Sequence, residues 1–151
     1  MKWLVLIHVL SAIIGVGPTY FGHIFLRKKQ SIGELKQSLM LSKKLEYFPK
    51  IGGTIAVLTG IALVVLSSLS FTELWILASI LLYIGVQIVV VGFIAPVTKQ
   101  LSAWLQDPTL PDHEPLPEPQ SAYLGKANRL YYVASGLGTL LFILMILKPV
   151  F

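Results

Sequence analysis

The chain has 151 residues, 55% of them hydrophobic and 13% charged, and its mean hydropathy of +0.77 lies far from the balance of a soluble domain. Its formal charge is +5. With no cysteine, disulfides, thiolate metal sites, iron–sulfur clusters and covalently attached c-type haem are all excluded.

A bilayer core about 30 Å thick takes roughly 20 apolar residues of helix to cross. The first stretch of that length covers residues 3–26 and includes LVLIHVLSAIIGVGPTYFGHIF. After it comes a loop over residues 27–50 holding Arg27, Lys28, Lys29, Lys36, Lys43, Lys44 and Lys50 against only Glu34 and Glu46. Within that loop Ile32, Leu35, Leu39 and Leu45 predict a short amphipathic helix around Ile32–Glu46, lying on the membrane surface. Two further spans, residues 51–69 and 74–97, are joined by a tight turn at about Ser67–Glu73 and are expected to pack as an antiparallel hairpin. The following loop, 98–129, contains DPTLPDHEPLPEPQ with five of the nine prolines, which predicts an extended, solvated tether. A fourth span covers residues 130–147. No Asp, Glu, Lys or Arg falls between Lys50 and Glu73, between Glu73 and Lys99, or between Arg129 and Lys148. Such continuous apolar runs argue against a β-barrel, whose strands are short and alternating. The expected fold is all-α: one integral membrane domain over residues 1–151, built as an antiparallel up-and-down bundle of four transmembrane helices.

Ten of the twelve basic residues fall in the two loops 27–50 and 98–129, leaving Lys2 and Lys148 at the other end. Positive charge beside a span marks the cytoplasmic side, so both termini are expected outside the cytoplasm. Lys2 before an apolar run resembles a signal peptide, but the run is long and no small-x-small cleavage site closes it. The positive charge then meets anionic lipid heads, not nucleic acid, and the bilayer itself is the first partner.

Within the spans the polar residues are few. His8 and His23 lie fifteen residues apart, roughly 22 Å along a helix, so they cannot easily share one ligand. Pro18 between them is expected to kink the helix. His23 approaches the headgroups, where anchoring suits it. His8 sits deeper and needs a partner: intramembrane ionisable groups are functional candidates, and neutral imidazole ligates metals and haem iron. The competing reading is a hydrogen bond to Ser or Thr on a neighbouring span, with Gln87 a candidate member of the network. On the His8 face of span one, Ser11, Ala12, Gly15, Thr19 and Gly22 form a stripe of little bulk. It is either a surface for close helix packing or a slot for a flat group. Met145 lies at about the depth of His8 and is a candidate second iron ligand, although methionine also fills gaps in packed interiors. His113, beside Asp112 and Glu114, reads as an ordinary polar residue of the linker, with a metal site as the alternative.

The segments IHVLSAIIGVGPTYFGHIFLRK, KLEYFPKIGGTIAVLTGIALVV and LWILASILLYIGVQIVVVGFIAP together resemble an uncharacterised family of bacterial integral membrane proteins, over nearly the whole chain. A more distant resemblance is to HemJ-type protoporphyrinogen oxidases, small four-span proteins that bind haem b. It is carried by His8 early in span one, Leu26-Arg27 at its end, and Pro49 before span two with Gly60 beyond. Arg129-Leu130 at the start of the last span and the closing LKPVF complete it. The pattern departs where Ser79 follows Trp75 in place of a lysine, and where Tyr132-Val133 stand in place of an Asn-Glu pair. The oxidase reaction is therefore not carried over. What the resemblance implies is one position, His8 as an axial ligand of a haem b; the residues themselves add Gly15 in the slot and Met145 at matching depth as further cofactor contacts. The expectation is a small membrane protein binding haem b and engaged in redox or haem-related chemistry in a bacterial cell membrane. The alternative is a non-catalytic accessory or assembly subunit that binds another membrane protein or a second copy of itself. Enzymatic activity stays open.

Overall fold

A computed structural model describes residues 1–149. Four apolar helical stretches long enough to cross a bilayer make up most of it: Lys2–Phe25, Ile32–Leu66, Leu74–Trp104 and Gln120–Leu147. Each is interrupted or extended for reasons visible in its sequence.

The first stretch begins as α1, Lys2–Val16, and tightens into a 3-10 segment, Gly17–Phe21, before a last turn, α2, Gly22–Phe25. Pro18 has no N–H to give and its ring crowds the carbonyl four residues back, so the regular ladder ends there. The second stretch is two helices, α3 (Ile32–Leu45) and α4 (Tyr47–Leu66), divided at Glu46. The start of α3 is fixed by a capping box: Ser31 Oγ accepts from the Glu34 N–H while the Glu34 carboxylate accepts from the Ser31 N–H. In the third stretch, α5 (Leu74–Gln87) widens into a π-helical segment, Ile88–Ile94, and resumes as α6 (Ala95–Trp104). Pro96 at the start of α6 removes the donor owed to the Gly92 carbonyl, and a π segment relieves that conflict within a continuous helix. The last helix, α7 (Gln120–Leu147), stops at Lys148, which takes a left-handed conformation just before Pro149.

Packing joins α1 to α4 and α5 to α7, and the two pairs meet where the 3-10 segment crosses α7. The turn at residues 67–73 lies where expected, but α4 and α5 barely touch beyond it. Gly52 and Gly60 of α4 face α1, and only Gly53 meets α5, through the Tyr83 hydroxyl, so the anticipated hairpin is replaced by an α1–α4 pair.

The buried apolar core lies toward the basic end of the bundle, not along the spans. Leu26, Ile32, Leu35, Leu39, Ile94, Val97, Leu101, Leu105, Leu124 and Ala127 form one cluster there, and Leu35 and Leu124 are wholly buried. This corrects two expectations. First, Ile32, Leu35 and Leu39 of α3 are covered by protein, so this helix does not present its apolar face to the membrane. Second, the proline-rich segment is docked, not a free tether. Its carbonyls at Glu114 and Asp112 accept from the N–H groups of Ile32 and Gly33 at 3.0 and 2.8 Å. Lys36 pairs with Asp112, and Leu110 and Leu116 pack on the cluster. Proline excluded helix as expected, but extended backbone there still satisfies the free N–H groups at the start of α3.

Candidate functional site

The histidine in the N-terminal half of the first span, His8, is held by α4. Its Nδ1 lies 2.8 Å from the Ala56 carbonyl and 3.1 Å from Thr59 Oγ1. A carbonyl can only accept, so Nδ1 carries the proton. Thr59 donates its own hydroxyl hydrogen to the carbonyl of Ile55 at 2.7 Å, and its oxygen is left to share the His8 proton. Gly60 makes room for the ring: a Cβ there would lie 3.0 Å from His8 Cε1. In the neutral imidazole the lone pair is therefore on Nε2, which makes no hydrogen bond to any described residue and is not sealed inside the protein. Of the two sequence readings for His8, the interhelical hydrogen bond is present, but to a backbone carbonyl first and a threonine second. Gln87 takes no part; it lies exposed on the far pair of helices.

The stripe below His8 is filled. A Cβ on Gly15 would come within 2.6 Å of the Gly53 nitrogen and 2.9 Å of the Gly52 carbonyl carbon, and a Cβ on Gly52 within 2.7 Å of the Gly15 nitrogen. Backbone lies on backbone at this level. Further down, Gly138 takes the Val16 side chain, with 3.1 Å to a would-be Cβ, and Gly22 faces the ring of Tyr131. Hydrogen bonds finish the crossing: Ser135 Oγ donates to the Thr19 carbonyl at 3.3 Å. Tyr20 donates to Thr139 Oγ1 at 2.7 Å, since the Thr139 hydrogen is already given to Ser135. The structure does not bring His8, Gly15 and Met145 around one space. His8 turns to α4, Gly15 is in van der Waals contact with α4, and Met145 lies on α7, a helix that α1 barely touches.

The basic end holds what sequence reading passed over. His23 stacks on Tyr132 with ring centroids 5.0 Å apart, and Asn128 Nδ2 donates to the His23 carbonyl at 3.0 Å. These residues line a cleft of about 440 Å³ together with Ile24, Arg27, Lys28 and Lys29. His113 lies on a second hollow nearby, with Lys28, Lys29 and Glu34. Among the described residues no three His, Asp or Glu side chains gather as a metal site, so Asp112, His113 and Glu114 do not form one.

Four apolar helices, two charged loops at one end and almost no charge between them define a multi-pass integral membrane protein. Residues 2–149 match the family model described as predicted integral membrane protein (DUF2269), and the chain belongs to that family. No curated protein and no solved structure matches it, so the HemJ likeness has no support from these comparisons. The final Val150 and Phe151 of the LKPVF ending lie outside the described residues.

Proposed function

We propose that the protein binds haem b at the membrane, with His8 supplying an axial ligand through Nε2, and that it serves a redox or haem-related reaction. The observation that carries the reading is the His8–Ala56 hydrogen bond. A histidine that gives its Nδ1–H to a carbonyl is fixed in tautomer and ring orientation, with Nε2 free to donate to a metal. The fit holds on one side. Gly15 is closed off by α4 and Met145 lies on α7, which has few contacts with α1, so neither is carried into the proposal. A bound haem would supply one-electron chemistry. The chain's own part is to hold His8 against Ala56 and Thr59 and to keep the ring clear over Gly60.

The test is the optical spectrum of the protein, purified in mild detergent after haem feeding, before and after dithionite. A Soret band that sharpens and shifts on reduction, and is lost in His8→Ala while thermal unfolding stays cooperative, is the expected outcome. A featureless spectrum overturns the reading. The second reading is then a non-catalytic bundle acting through another membrane protein, favoured by the closely packed Gly15–Gly52 contact, in which His8 serves as a helix lock.

For topology, the ten basic residues at one end support placing both termini outside the cytoplasm. In this cysteine-free chain a thiol introduced at Lys36 tests it. Labelling of intact cells by a membrane-impermeant reagent at that position reverses the orientation.

A further inference from the structure

The cleft at the basic end combines features that the His8 reading does not use. Three consecutive cations, Arg27, Lys28 and Lys29, follow the C-cap Leu26 of α2, where the first span leaves the apolar region. Arg27 is partly committed, donating to Glu34 at 3.2 Å and to the Ile24 carbonyl at 3.3 Å. Lys28 and Lys29 are exposed and make no ion pair with any described residue. Opposite them α7 contributes Asn128 and the Tyr132 ring, held in place by the His23 stack and the Asn128–His23 hydrogen bond. The remaining wall is apolar: Ile24 is 50% exposed and Tyr132 58% exposed, both on the side that continues along the spans.

We propose that this cleft is a binding site for one anionic phospholipid. Its phosphate is met by Lys28 and Lys29, with Arg27 in support, and its acyl chains run down Ile24 and the Tyr132 ring. The charge explains the preference for an anionic headgroup, since basic pockets between spans bind such heads. The apolar wall explains why the occupant is a lipid and not a free phosphate, because a small anion leaves Ile24 and Tyr132 unused. The site is formed where α2 and α7 meet, so occupancy ties the first span to the last. It stands whether or not His8 binds haem.

Native mass spectrometry of the full chain in detergent, titrated with phosphatidylglycerol and separately with phosphatidylcholine, tests it. Wild type should retain phosphatidylglycerol in preference to phosphatidylcholine with a stoichiometry of one. The exposed double variant Lys28→Ala/Lys29→Ala should weaken retention about thirtyfold, the factor expected from two juxtamembrane cations. The control Lys43→Ala/Lys44→Ala removes the same charge from the end of α3, away from the cleft, and should change it less than threefold. Equal loss in both variants means diffuse attraction by net charge and overturns the site. Displacement of phosphatidylglycerol by millimolar inorganic phosphate overturns the lipid assignment, and no loss in Lys28→Ala/Lys29→Ala overturns the proposal entirely.

Discussion

Gly15→Ala is the most direct probe of how the spans are held together. The added methyl would sit 2.6 Å from the Gly53 nitrogen and 2.9 Å from the Gly52 carbonyl carbon, both backbone atoms that cannot rotate away. Reaching ordinary contact at 3.4 Å requires α1 and α4 to separate locally by about 0.8 Å (3.4 − 2.6). Overpacking of this kind costs about 1–3 kcal/mol, and the better helix propensity of alanine returns at most about 1 kcal/mol. With that return in full the expected net loss is about 0–2 kcal/mol, read as lower thermal or denaturant stability in a fixed detergent. His8 lies seven residues away on the same interface, about 10 Å along the helix, so its 2.8 Å bond to Ala56 should lengthen as well. Gly52→Ala meets the same surface from the other side, 2.7 Å from the Gly15 nitrogen. The double variant should therefore lose less than the sum of the singles, because one separation accommodates both methyls. Gly136→Ala is the control, with nothing within 4 Å of its added Cβ, and should be neutral or slightly stabilising. If Gly15→Ala proved as stable as Gly136→Ala, the backbone contact between α1 and α4 would be refuted, and with it the claim that the stripe is closed.

Leu35→Ala should cost about 2–4 kcal/mol in the same unfolding assay, because Leu35 is wholly buried in the cluster at the basic end. A loss under about 0.5 kcal/mol would mean that α3 turns this face to lipid after all. Gly60→Ala brings a methyl to 3.0 Å from His8 Cε1 and should shift the ring by a few tenths of an ångström and weaken its bond to Ala56, dimming or shifting any chromophore bound through Nε2 while Gly136→Ala leaves it unchanged. Asp107, outside the spans, accepts from the Thr109 hydroxyl at 2.7 Å and from its N–H at 3.0 Å, and these bonds hold its pKa below the ordinary carboxylate value. A lowered folded-state pKa is a contribution to stability that is present above the unfolded value, near about pH 4, and is lost as pH falls through the folded value. Thr109→Ala removes the larger cause, so the Asp107 carboxyl carbon, followed by NMR, should titrate at higher pH than in wild type. An unchanged midpoint would mean the hydroxyl bond is absent.

The four spans and the tight turn after α4 were legible because hydrocarbon imposes a one-dimensional rule: long apolar runs bounded by charge. A break in the regular helix at Pro18 was also legible, since proline acts on its own helix, but its form, a 3-10 segment and not a simple kink, was not. What could not be read was which faces meet. Gly15 stood out in a stripe of little bulk, but a stripe of small residues looks the same whether it receives a helix or a flat ligand. Only the register of α1 on α4 decides, and that depends on residues 37 positions apart (52 − 15). The partner of His8 was sought among side chains, whereas the nearest acceptor is the backbone of Ala56, a group every residue has and no sequence marks. Gln87 misled for the opposite reason: a polar residue in a span need not point inward, and this one is exposed. The proline-rich segment carried a correct exclusion of helix and a wrong conclusion of freedom. The unpaired N–H groups of Ile32 and Gly33 at the start of α3 were the signal that something had to dock there.

These outcomes share a physical cause. Between spans, lipid competes with leucine on equal terms, so apolar side chains gain little by turning inward, and close approach of backbones with a few hydrogen bonds must hold the helices. Accordingly Leu58, Leu81 and Ile146 point outward, while glycines 15 and 52 and the hydroxyls of Thr59, Ser135 and Thr139 make the contacts. At the basic end, where the loops emerge among lysines and arginines, water is present and the hydrophobic effect operates, so the fully buried leucines Leu26, Leu35, Leu101 and Leu124 collect there. The two halves should therefore fail in opposite ways. The spans are sensitive to added bulk and tolerant of truncation, whereas the basic end is sensitive to truncation. His8 belongs to the first regime. Its ring is held only as firmly as α1 is held to α4, and anything seated on Nε2 inherits its position from the Gly15–Gly52 contact. Lys28 and Lys29 stand at the edge of the second regime, anchored through Leu26 and the α2–α7 contact while their own side chains remain free to follow an anionic partner.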